Sequence, residues 1–404
     1  MSTSPRILIS GGGIAGNALA LQLVRSGIHA TVVERATSPR PGGQAVDVRG
    51  PSREAAERMG LMPGIRRHQL DERGMSYVDG SGRIYGRMAM EDFDGEGAIA
   101  EIEITRGDLN QVLLEALTDA ATDGLLDYRY GDHIVGLAQD ADGVDVTLAS
   151  GPRERYNLVV GADGVHSATR RLAFGAEEQY AKFLGGYCAF FTMPTPAGIE
   201  PGWFAMRLVP GAMLGIRPDG DPATSKAIIN VRVHQDPSLR RDVTAQKALI
   251  RRSLEGAGWH AATVLEAMEH ADDFYFDELA RVDMPTLSAG RVTLIGDAGY
   301  CGSPLTGMGT AMALVGAYVL AAEIAAAPAG DLAAALARYE QQVTPFLEKS
   351  RQIPGGGIAV MLPRTRLMTR LARVNVKLML SRPLRPLAKR LFATGGGEVA
   401  LPAV

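Results

Sequence analysis

A short apolar run, Arg6-Ile7-Leu8-Ile9-Ser10, leads straight into Gly11-Gly12-Gly13-Ile14-Ala15-Gly16, after which apolar residues recur from Ala18 to Val24 and stop at Gly27. No other feature constrains the chain as tightly, because this order reads as strand, tight glycine turn, helix and stop. Gly11 permits the turn, Gly13 lets backbone N–H groups of the Ile14-Ala15 turn approach a pyrophosphate at the helix N-terminus, and Gly16 lets helix and sheet pack closely. A second strand, Ala30 to Val33, ends on Glu34, whose carboxylate is placed to accept hydrogen bonds from ribose hydroxyls; Arg35 beside it is a further cofactor candidate. Two strands joined by a crossover helix call for a parallel sheet covered on both faces. The same letters return at Gly355 to Ala359, but Pro354 precedes them, no strand leads in, and Val360 stands at the third-glycine position. One dinucleotide fold is expected, and the second copy reads as a connection.

The remaining pattern is α/β with an insertion. Leu109, Val112, Leu113, Ala116 and Leu117 recur at helical spacing between Thr105 and Ala121, with Asp108 in the first turn. Ile134 to Gln139 and Val144 to Leu148 flank Asp142-Gly143 and read as an antiparallel hairpin. Leu158 to Val160 and Val292 to Ile295 are short buried strands. From about Gly175 to Arg281, strand candidates rich in aromatics and Met (Tyr187 to Met193, Trp203 to Leu208, Met213 to Ile216, Ala227 to Val233) form a second, mostly antiparallel domain. After Gly330 the chain reads as helical, divided by Pro345, Pro354 and Pro363. The 404 residues are enough for two or three units. A net charge of −3 argues against a nucleic-acid-coating protein. Cys188 and Cys301 stand far apart, which excludes a disulfide framework and fits a reducing compartment. The longest apolar helix candidate, from Ala311, is interrupted at Glu323, short of the ~20 residues of a membrane span. A cytoplasmic protein is expected. There is no H-E-x-x-H and no G-x-S-x-G, so neither a metal site nor a nucleophile elbow is expected. The run from Arg364 to Arg390 holds Arg366, Arg370, Arg373, Lys377, Arg382, Arg385 and Lys389 without an acid, with Leu367, Leu371, Val374 and Leu378 at helical spacing. It reads as a helix packed on the protein with its basic face in solvent.

Two further segments give the pattern its specificity: Gly161-Ala162-Asp163-Gly164-Val165-His166-Ser167-Ala168-Thr169-Arg170, and Gly296-Asp297-Ala298 followed by Ser303-Pro304-Leu305-Thr306-Gly307-Met308-Gly309. With the N-terminal glycines and Arg106, they resemble the three fingerprints of the FAD-dependent aromatic hydroxylases, the p-hydroxybenzoate hydroxylase family of single-component flavoprotein monooxygenases. Within it, Gly42-Gly43-Gln44-Ala45-Val46-Asp47 and the overall length look most like the tetracycline-inactivating and polyketide-modifying enzymes. The resemblance implies a Rossmann-like FAD-binding domain in three parts, 1–72, 98–174 and 282–344, a substrate domain at 73–97 and 175–281, and a C-terminal helical segment at 345–404. It implies that Arg106 contacts FAD phosphate or ribityl oxygens, Asp47 the flavin, Arg40 the nicotinamide cofactor, and Asp163 both cofactors. Asp297, after Gly296, would bind a ribityl or pyrophosphate-adjacent group, and Gly307, Met308 and Gly309 would present a helix N-terminus to the flavin. The sequence departs from the family pattern at Gly299-Tyr300, where Ala-His is usual, and at Thr310 and Gly316, where Asn and Asp are frequent.

The implied activity is reduction of FAD by NADPH or NADH, addition of O₂ at flavin C4a, and oxygen delivery from the hydroperoxide to an electron-rich ring, with no catalytic side chain demanded. Strand alternation puts Cys188 and Phe190 on one face and Tyr187, Ala189 and Phe191 on the other. Cys188, Phe190, Pro304, Leu305 and Thr306 are the candidate lining for an aromatic or polycyclic substrate. Baeyer-Villiger or non-oxygenating oxidation, a flavin-binding redox sensor and a plain nicotinamide dehydrogenase stay open, as does monomer against homodimer.

Overall fold

The computed structural model describes residues 5–40, 42–93, 101–121, 124–151, 153–327, 331–353, 357–381, 383–384 and 401. Arg6–Ser10 is the middle one of five consecutive parallel strands in a six-stranded sheet, flanked by Leu158–Gly161 on one side and His29–Glu34 on the other, with Ile9 opposite both Val160 and Val32. Val292–Leu294 and Leu126–Tyr130 extend it in parallel, and the short strand Ser288–Ala289 closes one edge antiparallel. The helix Ile14–Arg25 is buried along nearly its whole length because it is wedged between this sheet and the helices Arg106–Ala120 and Gly309–Ala325. Gly309–Ala325 is buried from Thr310 to Ile324 and runs straight through Glu323, whose carboxylate is satisfied by Arg338 and Gln342 of the next helix, Leu332–Ser350. That helix also continues through Pro345, contrary to the expected break. The proline removes the donor to the Gln341 carbonyl, and both residues are exposed, so water can take the carbonyl.

The second sheet has seven strands in the order Tyr275–Val282, Ala181–Pro194, Thr224–Val231, Ala212–Pro218, Trp203–Val209, Gly74–Val78 and Ile84–Ala89. Every pair is antiparallel except Trp203–Val209 with Gly74–Val78. One face carries Tyr187, Ala189, Phe191, Ile229 and Val231 and is covered by the helices Val243–Ser253 and Ala261–His270. The opposite face carries Cys188, Phe190, Ile228, Met206 and Met213, joined by Leu305 from the nucleotide-fold side. The hairpin at Ile134–Gln139 and Val144–Leu148 gains a third strand, Arg153–Tyr156.

The C-terminal helix, Arg366–Met379, turns the opposite way from the sequence reading. Leu367, Leu371, Val374 and Leu378 are 67%, 60%, 64% and 56% exposed, while Thr369 is buried. The packed face is held by Arg373, which pairs with Asp79 at 3.6 Å and lies over the Tyr85 ring, and by Val376 and Leu380 against Gly86. Helical spacing marks an apolar stripe but does not say whether protein lies opposite it. Arg382, Arg385 and Lys389 lie outside the described residues, as do Pro41, Pro354, Gly355 and Gly356. Among the described residues, no helix is long and apolar enough to cross a membrane.

Candidate active site

The first glycine turn is shaped by contacts that leave one opening. Gly11 has φ +109°, and a Cβ there would lie 2.4 Å from the Ala162 carbonyl oxygen; at Gly16 it would lie 1.9 Å from the Gly11 carbonyl oxygen. These two glycines are therefore required by close backbone approach. At Gly13 the nearest atom is Arg106 Nη2, 3.9 Å from the Cβ position. The space in front of Gly13 is thus bounded by a guanidinium and by the N-terminus of Ile14–Arg25, which has no side-chain cap and no acid in its first turn. Unsatisfied N–H groups plus a cation make an anion site, the arrangement a dinucleotide pyrophosphate needs. Glu34 accepts from Gly12 N–H at 2.8 Å and from Ala36 N–H at 2.8 Å, which fixes its carboxylate at the strand end beside the turn. Arg35 and Arg40 are exposed. The loop at Gly42–Gln44 lies against Arg106, with Arg106 N–H donating to Gln44 O at 3.0 Å and Gly107 N–H to Gly42 O at 2.6 Å.

The other two segments lock onto this turn. Gly296, at φ +59°, lies so close to Ala15 that a Cβ would come within 2.8 Å of the Ala15 methyl. Asp163 receives the Ser167 hydroxyl, and at 2.9 and 3.0 Å the Thr169 N–H and hydroxyl, so its carboxylate builds the turn that starts the helix Ala168–Phe174. Fully buried Arg170 then donates to Ala298 O at 2.8 Å and Val165 O at 2.6 Å, tying the two segments together. Asp297 is exposed although Gly296 and Ala298 to Tyr300 are buried. Surrounding protein pushes its carboxyl above the usual range, against the nearby Arg106 charge. A group that is densely surrounded yet open to solvent sits at the floor of a concavity. In the loop that follows, Ser303 has φ +74°, a strained value for a residue with a side chain, and Gly307 is left-handed at φ +65°. Thr306 is buried, donating to Ser303 O at 3.1 Å and accepting from Met308 N–H at 3.2 Å. Pro304 is exposed and Leu305 half-buried. Cβ atoms at Gly307 and Gly309 would meet nothing, so open space adjoins the uncapped start of Gly309–Ala325.

The departures from the family pattern explain one another. A Cβ at Gly316 would lie 1.9 Å from the Tyr300 hydroxyl, so Tyr300 fills the space a side chain would take. Burial pushes the Tyr300 phenol up to about 12, and the Tyr339 hydroxyl beside it donates to Leu294 O at 3.2 Å.

Opposite the turns stands the sheet wall, with Phe190 aligned with Ile228 and Tyr275, and Cys188 with Asn230 and Asp277. Burial raises the Cys188 thiol far above its ordinary range, so it acts as a small apolar group. Two ionic clusters bridge wall and turns, each joining residues more than 100 positions apart. Arg217 pairs through Nε with Glu72 at 2.9 Å and through Nη2 with Glu103, and donates to Ala45 O at 3.3 Å. It thereby fastens the wall to the small ladder of Ala45–Asp47 with Glu103–Thr105, which leads into Arg106. Asp47 in that ladder is paired with Arg49 at 3.0 Å. His166 bridges Asp277 and Glu177 at 3.0 Å each, and the Asp277 and Glu177 hydrogen bonds hold its pKa up at about 9. Charged residues within otherwise apolar strand ends, Arg217 and Asp277, were the available signal.

An anion cradle at the glycine turns, with Leu305 of the third motif segment packed on an apolar aromatic sheet, marks a dinucleotide-binding fold. Residues 5–352 match the FAD binding domain family, and the chain belongs to it, within the flavin-dependent monooxygenases. It is 35% identical over 353 residues to a flavin-dependent monooxygenase of Legionella longbeachae, covering 87% of this chain and 88% of that one. It is 39% identical over 359 residues to an uncharacterized protein of Mycobacterium tuberculosis, covering 87% and 94%. The structure matches the crystal structure of tetracycline destructase Tet(55) with a TM-score of 0.80 and 32% identity, over 100% of both chains.

Proposed function

We propose that this protein is an FAD-dependent monooxygenase that uses NAD(P)H and O₂ to hydroxylate an aromatic or polycyclic small molecule of the polyketide or tetracycline kind. The observation that carries this reading is that Leu305, from the third motif segment, packs on the Phe190, Cys188 and Ile228 wall, while Arg106 of the Gly13 anion cradle acts on Tyr275 at the edge of that wall. FAD, when bound, supplies electron transfer from the nicotinamide and activation of O₂. The chain's own residues bind and orient. N–H groups at the start of Ile14–Arg25 and the Arg106 guanidinium hold the pyrophosphate, Glu34 accepts from the adenosine ribose, and Asp297 accepts from a ribityl hydroxyl. The N-terminal end of Gly309–Ala325 favours negative charge on the ring system. Phe190, Cys188 and Leu305 exclude water from the reacting ring. Asp163 acts through the turn it builds. Two free, buried cysteines suit a cytoplasmic setting.

The purified protein is expected to be yellow and to release noncovalent FAD on denaturation. Tetracyclines and aromatic polyketides are then screened for stimulated NAD(P)H oxidation with product mass, which also separates ring hydroxylation from oxygen insertion beside a ketone. Release of FMN, or no flavin after reconstitution, overturns the reading.

A further inference from the structure

Tyr275 is an exposed aromatic at the edge of the apolar wall whose hydroxyl is tied into an ionic cluster. It lies on the edge strand Tyr275–Val282, opposite Phe190, with its ring stacked on Phe190 at 6.0 Å and 30°. Phe190 is 8% exposed, yet Tyr275 is 45% exposed, so the tyrosine borders solvent at the edge of the wall, near enough to the cradle for the Arg106 charge to act on its phenol. Its hydroxyl donates to Asp277 Oδ2 at 2.8 Å, and Asp277 Oδ1 faces His166 Nε2 at 3.0 Å. His166 Nδ1 faces Glu177 Oε1 at 3.0 Å, and Glu177 is also paired with Arg240 and, at 3.6 Å, with Arg170. A three-residue chain of hydrogen bonds therefore runs from the second glycine-bearing segment to a phenol on the substrate wall.

We propose that Tyr275 Oη is a specificity-determining hydrogen-bond acceptor for a hydroxyl on the aromatic substrate, with Asp277 and His166 as positioning residues. The proposal rests on the monooxygenase reading and names the substrate feature that the same cleft recognises. A phenol has one donor and two lone pairs. Because the donor is committed to Asp277, what Tyr275 offers the cleft is an acceptor, and a ligand donor is its complement. Although part of the ring reaches solvent, the protein packed around the hydroxyl and the Asp277 charge hold the phenol well above its ordinary range, against the Arg106 charge, so it stays neutral. The wall around it is mainly apolar, with Phe190, Cys188, Ile228, Met206 and Met213; Tyr77 and Asn230 are further polar side chains on the same face, but neither is aligned with Phe190. A hydroxyl placed there sets the orientation of an otherwise featureless ring. His166, with Glu177 and Arg240 behind it, keeps Asp277 turned toward Tyr275.

The test uses the full chain reconstituted with FAD, and 2-naphthol against 2-methoxynaphthalene as probes, with affinity read from the flavin absorbance change. The parent protein is expected to prefer 2-naphthol by roughly two- to tenfold, the range of one net neutral hydrogen bond. Tyr275→Phe should abolish the preference while leaving affinity for the methyl ether unchanged. His166→Ala should abolish most of it, and His166→Gln, which keeps an amide donor near the position of Nε2, should restore it. A merely structural His166 would move the melting temperature in both variants without this rescue. Equal affinity of the parent protein for the two probes, no binding of 2-naphthol, or a preference that survives Tyr275→Phe overturns the proposal. Failure to take up FAD instead overturns the monooxygenase reading.

Discussion

Replacing Arg217 with Met removes a positive charge that Glu72 and Glu103 share, and those two carboxylates set the cost. Their side chains are each 1% exposed and that of Arg217 is 12% exposed, so water can replace little of what is lost. Breaking a buried pair by removing one partner costs about 3–5 kcal/mol, because the survivor keeps a charge it cannot solvate. Proton uptake limits that cost. Burial, opposed by Arg217, already holds Glu72 above its ordinary 4.5, and burial with the Glu72 and Asp47 charges holds Glu103 well above it. Without Arg217 both rise further, so the folded variant binds more protons than its unfolded chain. Its stability then falls as pH rises from the ordinary value through the folded values. Arg217→Met is expected to lose about 3–5 kcal/mol near pH 8 and less than half of that near pH 5.5. Urea unfolding followed by far-ultraviolet circular dichroism at both pH values measures this. A loss below about 1 kcal/mol near pH 8, or the same loss at both, would refute the idea that Arg217 compensates buried charge.

Asp297→Ala should weaken FAD binding by about 1–3 kcal/mol, the scale of a lost charge-assisted hydrogen bond; unchanged affinity by flavin fluorescence titration removes Asp297 from the site. Cys188→Phe should leave FAD content normal but lower the ratio of hydroxylated product to NAD(P)H consumed, with the difference appearing as hydrogen peroxide; an unchanged ratio and substrate affinity place Cys188 outside the pocket. The His166 pKa is raised from 6.5 to about 9, so its hydrogen bonds contribute stability that is fully present below 6.5 and lost as pH rises through 9. The stability gap between parent and His166→Asn should shrink over that window, and a gap independent of pH would count against the charged His166 bridge. Leu371→Gln should change the melting free energy by less than about 0.5 kcal/mol, since the side chain faces solvent, and a large loss would show that the stripe is covered.

What could be read from sequence was local. The strand, glycine turn and helix from Arg6 to Arg25 are fixed by residues within a few positions of one another, and the alternation that separates Cys188 and Phe190 from Tyr187 and Phe191 follows from the pleat. Orientation against the rest of the protein was not legible, which is why Leu367, Leu371, Val374 and Leu378 face solvent and why Tyr300 and Gly316 read as two departures although they form one contact. The two bridging clusters were hidden for the same reason. Arg217 lies 145 residues from Glu72 and 114 from Glu103, and His166 lies 111 from Asp277, so no window of sequence holds both partners.

These bridges act on what the glycine turns leave undetermined. The contacts of Gly11 and Gly16 with neighbouring carbonyls and of Gly296 with Ala15 join the three motif segments to one another, whereas none of them touches the substrate sheet. Arg217 fastens that sheet to the Ala45–Asp47 ladder, and His166 fastens its edge strand to the segment between Gly161 and Arg170. A chain that kept the turns and lost both bridges would still present the anion cradle, beside a wall held by fewer contacts, among them Val282 N–H to Cys301 O at 2.9 Å and the packing of Leu305. Since a misplacement of about 1 Å can cost on the order of 10²-fold in rate, loss of either bridge is expected to lower product formed per NAD(P)H consumed more than it lowers FAD content, and an equal fall in both would refute a positioning role for the bridges.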